Sequence, residues 1–192
     1  MSQISIIAVE ILIICVLQSA HIWEEYIMKQ IQPCIWFQGN AEEAMNYYVA
    51  TFKNSKITHI ERYTGDQGIP GEKELEGKVL TGVFEINGQQ FTCLDGGPIF
   101  ELSGAISLMA EFDDQDEFDA AWDKLVDGGK TQQCGWVTDR FGVTWQIVPA
   151  ALGEMMSDPS ATTEQKQALM NAMMPMVKLD IKKLTAAFDG AK

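Results

Sequence analysis

Residue types that commonly carry out chemistry are sparse in this chain. His21 lies in an apolar N-terminal segment, and His59 stands alone on a predicted strand. A lone strand histidine is more often solvent-facing or hydrogen-bonded than a metal ligand. No general base stands beside a nucleophile. Isolated thiols in apolar strands are usually reduced, and no Cys-x-x-Cys spacing links the cysteines, which are Cys15, Cys34, Cys93 and Cys134. A reducing cytoplasm is therefore expected.

Two motifs that contain glycine could suggest phosphate or cofactor binding. Gly96-Gly97-Pro98 follows a predicted hairpin strand, whereas the glycine-rich turn of a nucleotide or S-adenosylmethionine site opens a helix. Residues 139–142 (DRFG) place an aspartate before a glycine, which is typical of a hairpin turn. Both motifs are predicted to be plain turns.

The charge balance excludes one class of partner. The chain has 14 basic and 27 acidic residues, a formal net charge of −13, and no basic cluster. Binding to nucleic-acid phosphates needs a basic surface, so no nucleic-acid partner is expected. With 192 residues, 46% of them hydrophobic, the chain can bury one core or two small modules.

An internal repeat shows how the chain is organised. Residues 40–48 (NAEEAMNYY) and 114–122 (DQDEFDAAW) follow the same pattern 74 residues apart, and the repeat also aligns the segments 33–37 and 107–111. Each copy has a helix-capping residue, then two acidic residues that suit the positive end of a helix dipole. Apolar residues then recur at three and four residue steps, which predicts an amphipathic helix in each copy.

Strands are predicted after each helix. In the first copy they cover 57–63, 78–86 and 89–95, and Asn87-Gly88 between the last two is a strong hairpin signal. In the second copy they cover 131–137 and 143–149. The fold class is therefore predicted to be α+β, with paired β-α-β-β-β modules whose helices each cover one face of a mostly antiparallel sheet.

The two ends of the chain differ from the modules. Residues 4–17 are mostly apolar, but the run is too short for a membrane span and lacks the preceding basic residue of a secretory signal. Residues 1–27 are interpreted as an extension upstream of a natural start at Met28; a signal or membrane-associating segment and a genuine helix are the alternatives. Residues 151–192 are predicted to form a methionine-rich helical tail that helps to close a cavity.

Three segments resemble a known family: PCIWFQGNAEEAMNYYVATF (33–52), CGWVTDRFGVTWQIVP (134–149) and LGEMMSDP (152–159). They are similar to the PhnB-like branch of the vicinal oxygen chelate superfamily, often labelled 3-demethylubiquinone-9 3-methyltransferase. The resemblance extends over residues 28–184. It implies one paired-module domain at 28–150, with modules at 28–100 and 101–150, whose curled sheets enclose a cavity in a homodimer.

The resemblance also implies where ligands would bind. Metal-using members, such as glyoxalase I, hold a divalent ion with four inward residues, and the corresponding positions here are Pro33, Thr92, Ser107 and Gln146. Only Gln146 has a side chain typical of such a site, so no metal or other cofactor is expected. A one-residue register change would bring Cys93 inward instead. Strand alternation extends the predicted cavity to Pro33, Ile35, Phe37, Gln90, Thr92, Leu94, Ser107, Met109, Thr144 and Gln146, and places Trp36 and Trp145 in the core.

This lining is apolar with a few neutral hydrogen-bonding groups, which suits a small, partly hydrophobic organic molecule. A binding protein without turnover is one interpretation. The alternative is an enzyme of the superfamily, metal-dependent or metal-independent, of lyase, dioxygenase or resistance type. An S-adenosylmethionine methyltransferase is not favoured, because the sequence lacks the expected parallel sheet and glycine-rich turn.

Overall fold

Two sheets, each with a helix across one face, form the centre of the molecule in the computed structural model, which describes residues 31–68 and 72–191. The first module contains β1 (Cys34–Phe37), α1 (Ala41–Thr51), β2 (Ser55–Arg62), β3 (Val79–Ile86) and β4 (Gln89–Asp95). The second module contains β5 (Leu108–Phe112), α2 (Gln115–Val126), β6 (Lys130–Thr131), β7 (Trp136–Thr138) and β8 (Thr144–Pro149). The predicted α+β class with paired modules is confirmed.

The two sheets have the same topology. Their strand orders are β1-β4-β3-β2 and β5-β8-β7-β6. In each, the first strand pairs in parallel with the last strand of its module, and the other pairings are antiparallel. Asn87 and Gly88 both have positive φ angles, of 44° and 86°, as a two-residue hairpin turn with the twist of its strands requires.

The two modules share a core because α1 packs on both sheets. Tyr48 of α1 stacks on Phe84 of the first sheet with ring centroids 5.9 Å apart, and contacts Trp145 of the second sheet at 5.4 Å. All three side chains are buried. Trp145 therefore lies in the core, as predicted.

The loop between strand and helix is one residue longer in the first module than in the second. The helix starts, Ala41 and Gln115, are 74 residues apart, whereas the strand ends, Phe37 and Phe112, are 75 apart. Phe37 and Phe112 occupy equivalent places, since each ends its strand opposite the last residue of the parallel partner strand. Gly39, with a φ of 100°, lies in the longer loop.

The strand predicted at 131–137 is interrupted in the structure. Cys134 and Gly135 have φ angles of 59° and 80°, so β6 and β7 are separated by a turn. The amides of these two residues donate hydrogen bonds to the carbonyls of Met176 and Val177, at 2.7 and 3.0 Å. The C-terminal tail therefore supplies the carbonyl acceptors that these two amides would otherwise find in a neighbouring strand.

The tail forms three helices, α3 (Ala150–Ser157), α4 (Thr163–Met173) and α5 (Ile181–Gly190). It is anchored to the second module, because Gln115 at the start of α2 donates to the Leu179 carbonyl and accepts from the Ile181 amide. Leu169 and Leu184 of the tail are fully buried. These contacts join the tail to the helix side of the second module.

Candidate functional site

In the described part of the chain, each sheet has one face packed against helices and one face without a helix. On β4 the side chains alternate: Phe91 and Cys93 are buried with α1, and Gln90, Thr92 and Leu94 are half-buried on the other side. On β8, Ile147 is buried, whereas Gln146 is half-buried. The two helix-free faces are called the open faces below.

The ten predicted cavity residues fall into separate groups. Seven of them lie on the open faces; these are Gln90, Thr92, Leu94, Ser107, Met109, Thr144 and Gln146. Strand register places six of them there, and Ser107, just before β5, is placed by its hydrogen bond to Gln146. Thr144 is buried on this face. Ile35 and Phe37 do not join them, since they pair with Cys93 and Asp95 and are buried on the helix side. Pro33 is exposed immediately before β1.

The longer first loop explains the placement of Ile35 and Phe37. Aligning the two modules by their helices shifts β1 by one residue against β5, and a shift of one residue exchanges the two faces of a strand. The residues of β1 that share a face with Thr92 and Leu94 are Cys34 and Trp36. Trp36 is therefore half-buried on the open face rather than in the core.

The open face of the second sheet has ordered polar pairs. Gln146 Nε2 donates to Ser107 Oγ at 2.8 Å, and the hydroxyls of Thr138 and Thr144 lie 3.2 Å apart. Met109, beside Gln146 in the register, is 59% exposed. This face thus combines neutral hydrogen-bonding groups with exposed apolar surface.

A buried carboxylate joins the two modules at their shared core. Asp139, in the turn between β7 and β8, accepts hydrogen bonds from Tyr48 Oη at 2.8 Å and Trp145 Nε1 at 2.9 Å. It also accepts from the amides of Phe141 and Val143, at 2.8 and 3.0 Å. Burial raises the pKa of Asp139, and these four hydrogen bonds oppose that rise. The turn predicted at 139–142 is confirmed.

A cavity of ≈ 390 Å³ lies at the seam between the modules. Trp36, Phe37, Gln38 and Asn40 line it from the end of β1 and the longer loop, and the linker and the β7–β8 turn supply Glu101, Leu102, Arg140, Phe141 and Gly142. Sequence reasoning included only Phe37 of this set. No pattern in the sequence indicates the others, because they come together only when the loop, the linker and the β7–β8 turn pack against each other.

Gly96-Gly97 is a packed turn in the structure. Gly97 has a φ of 76°, and its carbonyl accepts from Trp36 Nε1 at 2.8 Å. A Cβ atom on Gly96 would lie 2.2 Å from the Trp36 ring, so glycine is required there by close packing. The turn follows a strand and opens no helix.

Potential metal ligands are dispersed. Within residues 31–68 and 72–191, no three His, Cys, Asp or Glu side chains lie close enough to hold a metal ion. His59 is exposed on β2. The predicted set Pro33, Thr92, Ser107 and Gln146 offers neither a carboxylate nor an imidazole, so these residues do not fit the divalent metal of the metal-using members.

None of the helices in the described residues is both long enough and apolar enough to cross a membrane. The interpretation of residues 1–27 as an upstream extension falls outside the described part of the chain.

Paired four-stranded sheets with open faces define a protein of the glyoxalase-like, paired-module class. Residues 29–148 match the family model for 3-demethylubiquinone-9 3-methyltransferase. The chain therefore belongs to this PhnB-like family within the vicinal oxygen chelate superfamily. A search of curated proteins found no match.

Solved structures show similar folds. A PhnB protein from Bacillus cereus, named as a candidate 3-demethylubiquinone-9 3-methyltransferase, is 34% identical, with a TM-score of 0.57 over 64% of this chain and 100% of its own. Protein PA1353 from Pseudomonas aeruginosa is 24% identical, with a TM-score of 0.53 over 63% of this chain and 96% of its own. The match to PA1353 concerns the fold alone.

Proposed function

We propose that the protein binds a small, partly apolar organic molecule at its open sheet faces. It does so without the four metal-binding side chains of the superfamily's metal enzymes. The observation that carries the proposal is the Ser107–Gln146 hydrogen bond of 2.8 Å on the open face of the second sheet. In the metal-using relatives these positions would hold an ion; here two neutral side chains bind each other. Apolar Leu94 and Met109 stand on the open faces with them.

The register of β1 also disfavours a metal site built from four side chains. Cys34, rather than Pro33, shares the open face with Thr92. Cys34 could supply a thiolate, but Thr92, Ser107 and Gln146 add only hydroxyl and amide groups. One thiol with such partners is a poor site for a divalent metal ion. The open faces are therefore suited to neutral organic groups.

We further propose that a second copy of the chain covers the open faces. The linker between the modules exposes Ile99 (70%), Phe100 (59%) and Ile106 (81%), and Met109 of the following strand is exposed as well. Glu101 is the one charged residue in 96–109. In a chain with a net charge of −13, this weakly charged apolar segment is where two copies can meet with least repulsion. A homodimer would complete the cavity, and its expected compartment is the cytoplasm.

The alternative function is that of an enzyme. The family is named after a methyltransferase, so that activity is considered first. S-adenosylmethionine enzymes usually have a parallel sheet with a glycine-rich turn that opens a helix. Here each sheet has one parallel strand pair, and Gly96-Gly97 packs on Trp36. Binding without turnover is therefore the preferred function, with lyase, dioxygenase or resistance chemistry as the remaining alternatives.

Native mass spectrometry of the protein isolated gently from its own cells tests the proposal. A dimer with a stoichiometric organic mass and no metal is the expected result. One divalent ion per protomer would contradict the proposal and restore a chelate-type enzyme. Gln146→Leu should release the organic mass, whereas Gln167→Leu should retain it, because Gln167 is exposed on α4 and bonds only Asn171 in the described structure.

A further inference from the structure

The cavity between the modules adjoins the proposed open-face site but has a different lining. Of the ten residues predicted to line a cavity, Phe37 alone lines this one. Trp36, on the open face of the first sheet, borders both sites. Its volume of ≈ 390 Å³ lies within the range of pockets that hold small molecules. Trp36 and Phe141 provide aromatic walls, and Gln38 and Asn40 provide amides.

The two amides reach the cavity because the first module departs from the internal symmetry. In the second module, Asp114 caps α2 by accepting hydrogen bonds from the amides of Asp116 and Glu117. The equivalent Asn40 makes no side-chain capping bond to α1. Asp95 at the end of β4 accepts from the amides of Gly39 and Ala41 instead. Asn40 is thus released from capping and lines the cavity.

Hydrogen bonds within the protein orient the side-chain amides of Gln38 and Asn40. Gln38 Nε2 donates to the Phe100 carbonyl at 2.8 Å, which leaves Gln38 Oε1 as the unused acceptor. Asn40 Oδ1 accepts from the backbone N–H of Gln38 at 3.4 Å, which leaves Asn40 Nδ2 as the unused amino group. Within residues 31–68 and 72–191, neither unused atom has a partner. The cavity therefore presents one wholly unused oxygen, Gln38 Oε1, and one wholly unused amino group, Asn40 Nδ2, close together in the sequence.

The charges around the cavity disfavour an anion. Arg140 donates to the carboxylate and the carbonyl of Asp127 and lies over the Tyr47 ring at 5.1 Å, so its charge is already compensated. Glu101 has no partner in the described part of the chain and leaves a negative charge at the cavity. An anionic ligand would meet this carboxylate without a free cation to balance it.

We propose that this cavity is a second binding site, for a neutral aromatic molecule that carries a carboxamide. The ligand N–H would donate to Gln38 Oε1, and the ligand carbonyl would accept from Asn40 Nδ2. The ring would lie against Trp36 and Phe141. A carboxamide presents adjacent donor and acceptor groups in one plane, which complements the paired amides of the cavity.

Nuclear magnetic resonance titration of the full chain with benzamide tests this site. Benzamide should shift the side-chain signals of Asn40 and Trp36, and benzoate and neutral aniline should shift them at least about tenfold less at equal concentration, since each lacks one half of the hydrogen-bonding pattern. Equal effects of all three compounds would overturn the proposal, as would benzamide shifts confined to the open faces.

Asn40→Asp replaces the donor with an acceptor of the same size, and it breaks no capping bond because the Asn40 side chain makes none. It should weaken benzamide binding about tenfold or more, by loss of the donor. The matched control is Asn46→Asp on the same helix, where the Asn46 amide bonds the Glu42 carbonyl away from the cavity. The melting temperature of each variant confirms its fold, and unchanged affinity in folded Asn40→Asp would overturn the proposal.

Discussion

The Tyr48 hydroxyl donates a hydrogen bond of 2.8 Å to the carboxylate of Asp139, across 91 residues of sequence. Tyr48 belongs to α1 of the first module, and Asp139 to the turn that precedes β8 of the second. Both residues are buried. A hydrogen bond to a buried charge is stronger than one between neutral groups, so this contact helps to hold the two modules in one orientation.

We expect Tyr48→Phe to lower the free energy of unfolding by about 1.5–3 kcal/mol, because it removes a donor from a buried carboxylate. Tyr63→Phe is the matched control: the Tyr63 hydroxyl donates to the neutral carbonyl of Asp95 at 2.9 Å inside one module. Its loss should cost about 1 kcal/mol. Urea unfolding measures both values, and equal losses would contradict the special role of the charged acceptor.

Asp139 should make stability depend on pH in an unusual direction for a carboxylate. Its pKa is raised above the ordinary value of 3.8, chiefly by burial, so folding takes up a proton between the two pKa values. The contribution of Asp139 is therefore greatest below pH 3.8 and decreases as pH rises through the folded pKa. The difference in free energy of unfolding between the natural protein and Asp139→Asn should decrease with rising pH. An increasing difference in urea unfolding from pH 4 to 8 would contradict this.

Gly96→Ala should destabilise the first module by about 1–3 kcal/mol, because the added methyl overlaps the Trp36 ring. Gly153→Ala is the control, since no atom lies within 4 Å of the added methyl on α3. Replacing a helical glycine by alanine should stabilise by about 0.5–1 kcal/mol. Thermal unfolding reports both effects, and an unchanged melting temperature for Gly96→Ala would show that Trp36 can move aside.

The described cysteines should differ in their reaction with iodoacetamide. Cys34 is exposed, whereas Cys93 is fully buried, with a pKa raised by burial to about 11. In protein diluted until it is monomeric, mass spectrometry at neutral pH should find Cys34 alkylated well before Cys93, because reaction needs an accessible thiolate. Both should react at similar rates in denaturant. Early labelling of Cys93 in the folded protein would contradict the register of β4.

The tail should contribute to the stability of the second module. Leu184→Ala removes a fully buried side chain of α5 and should cost about 2–5 kcal/mol. Val177→Ala, at a position that is 43% exposed, should change stability by no more than about 0.5 kcal/mol. Urea unfolding compares the two variants. Similar small effects would mean that the tail folds independently of the core.

Much of the fold can be predicted from local sequence patterns. The repeat with its capping residues and apolar spacing predicts both helices, and Asn87-Gly88 predicts the hairpin of β3 and β4. These features depend on residues close together in the chain, where backbone geometry and side-chain periodicity act directly. The resemblance of 33–52 and 134–149 to the PhnB-like branch is likewise a property of the sequence.

Tertiary structure decided which side chains share a site. One extra residue around Gly39 reverses the faces of β1, and no local pattern in β1 reports that shift. Asp95 takes over the capping role of Asn40, and Asp139 receives Tyr48, through contacts between residues 54 to 91 positions apart. Such contacts form only when the strands and helices pack, because the desolvation of a buried carboxylate must be offset by all its donors together. The sequence by itself thus determined the elements and the family, and packing decided the faces, the cavity and the polar network between the modules.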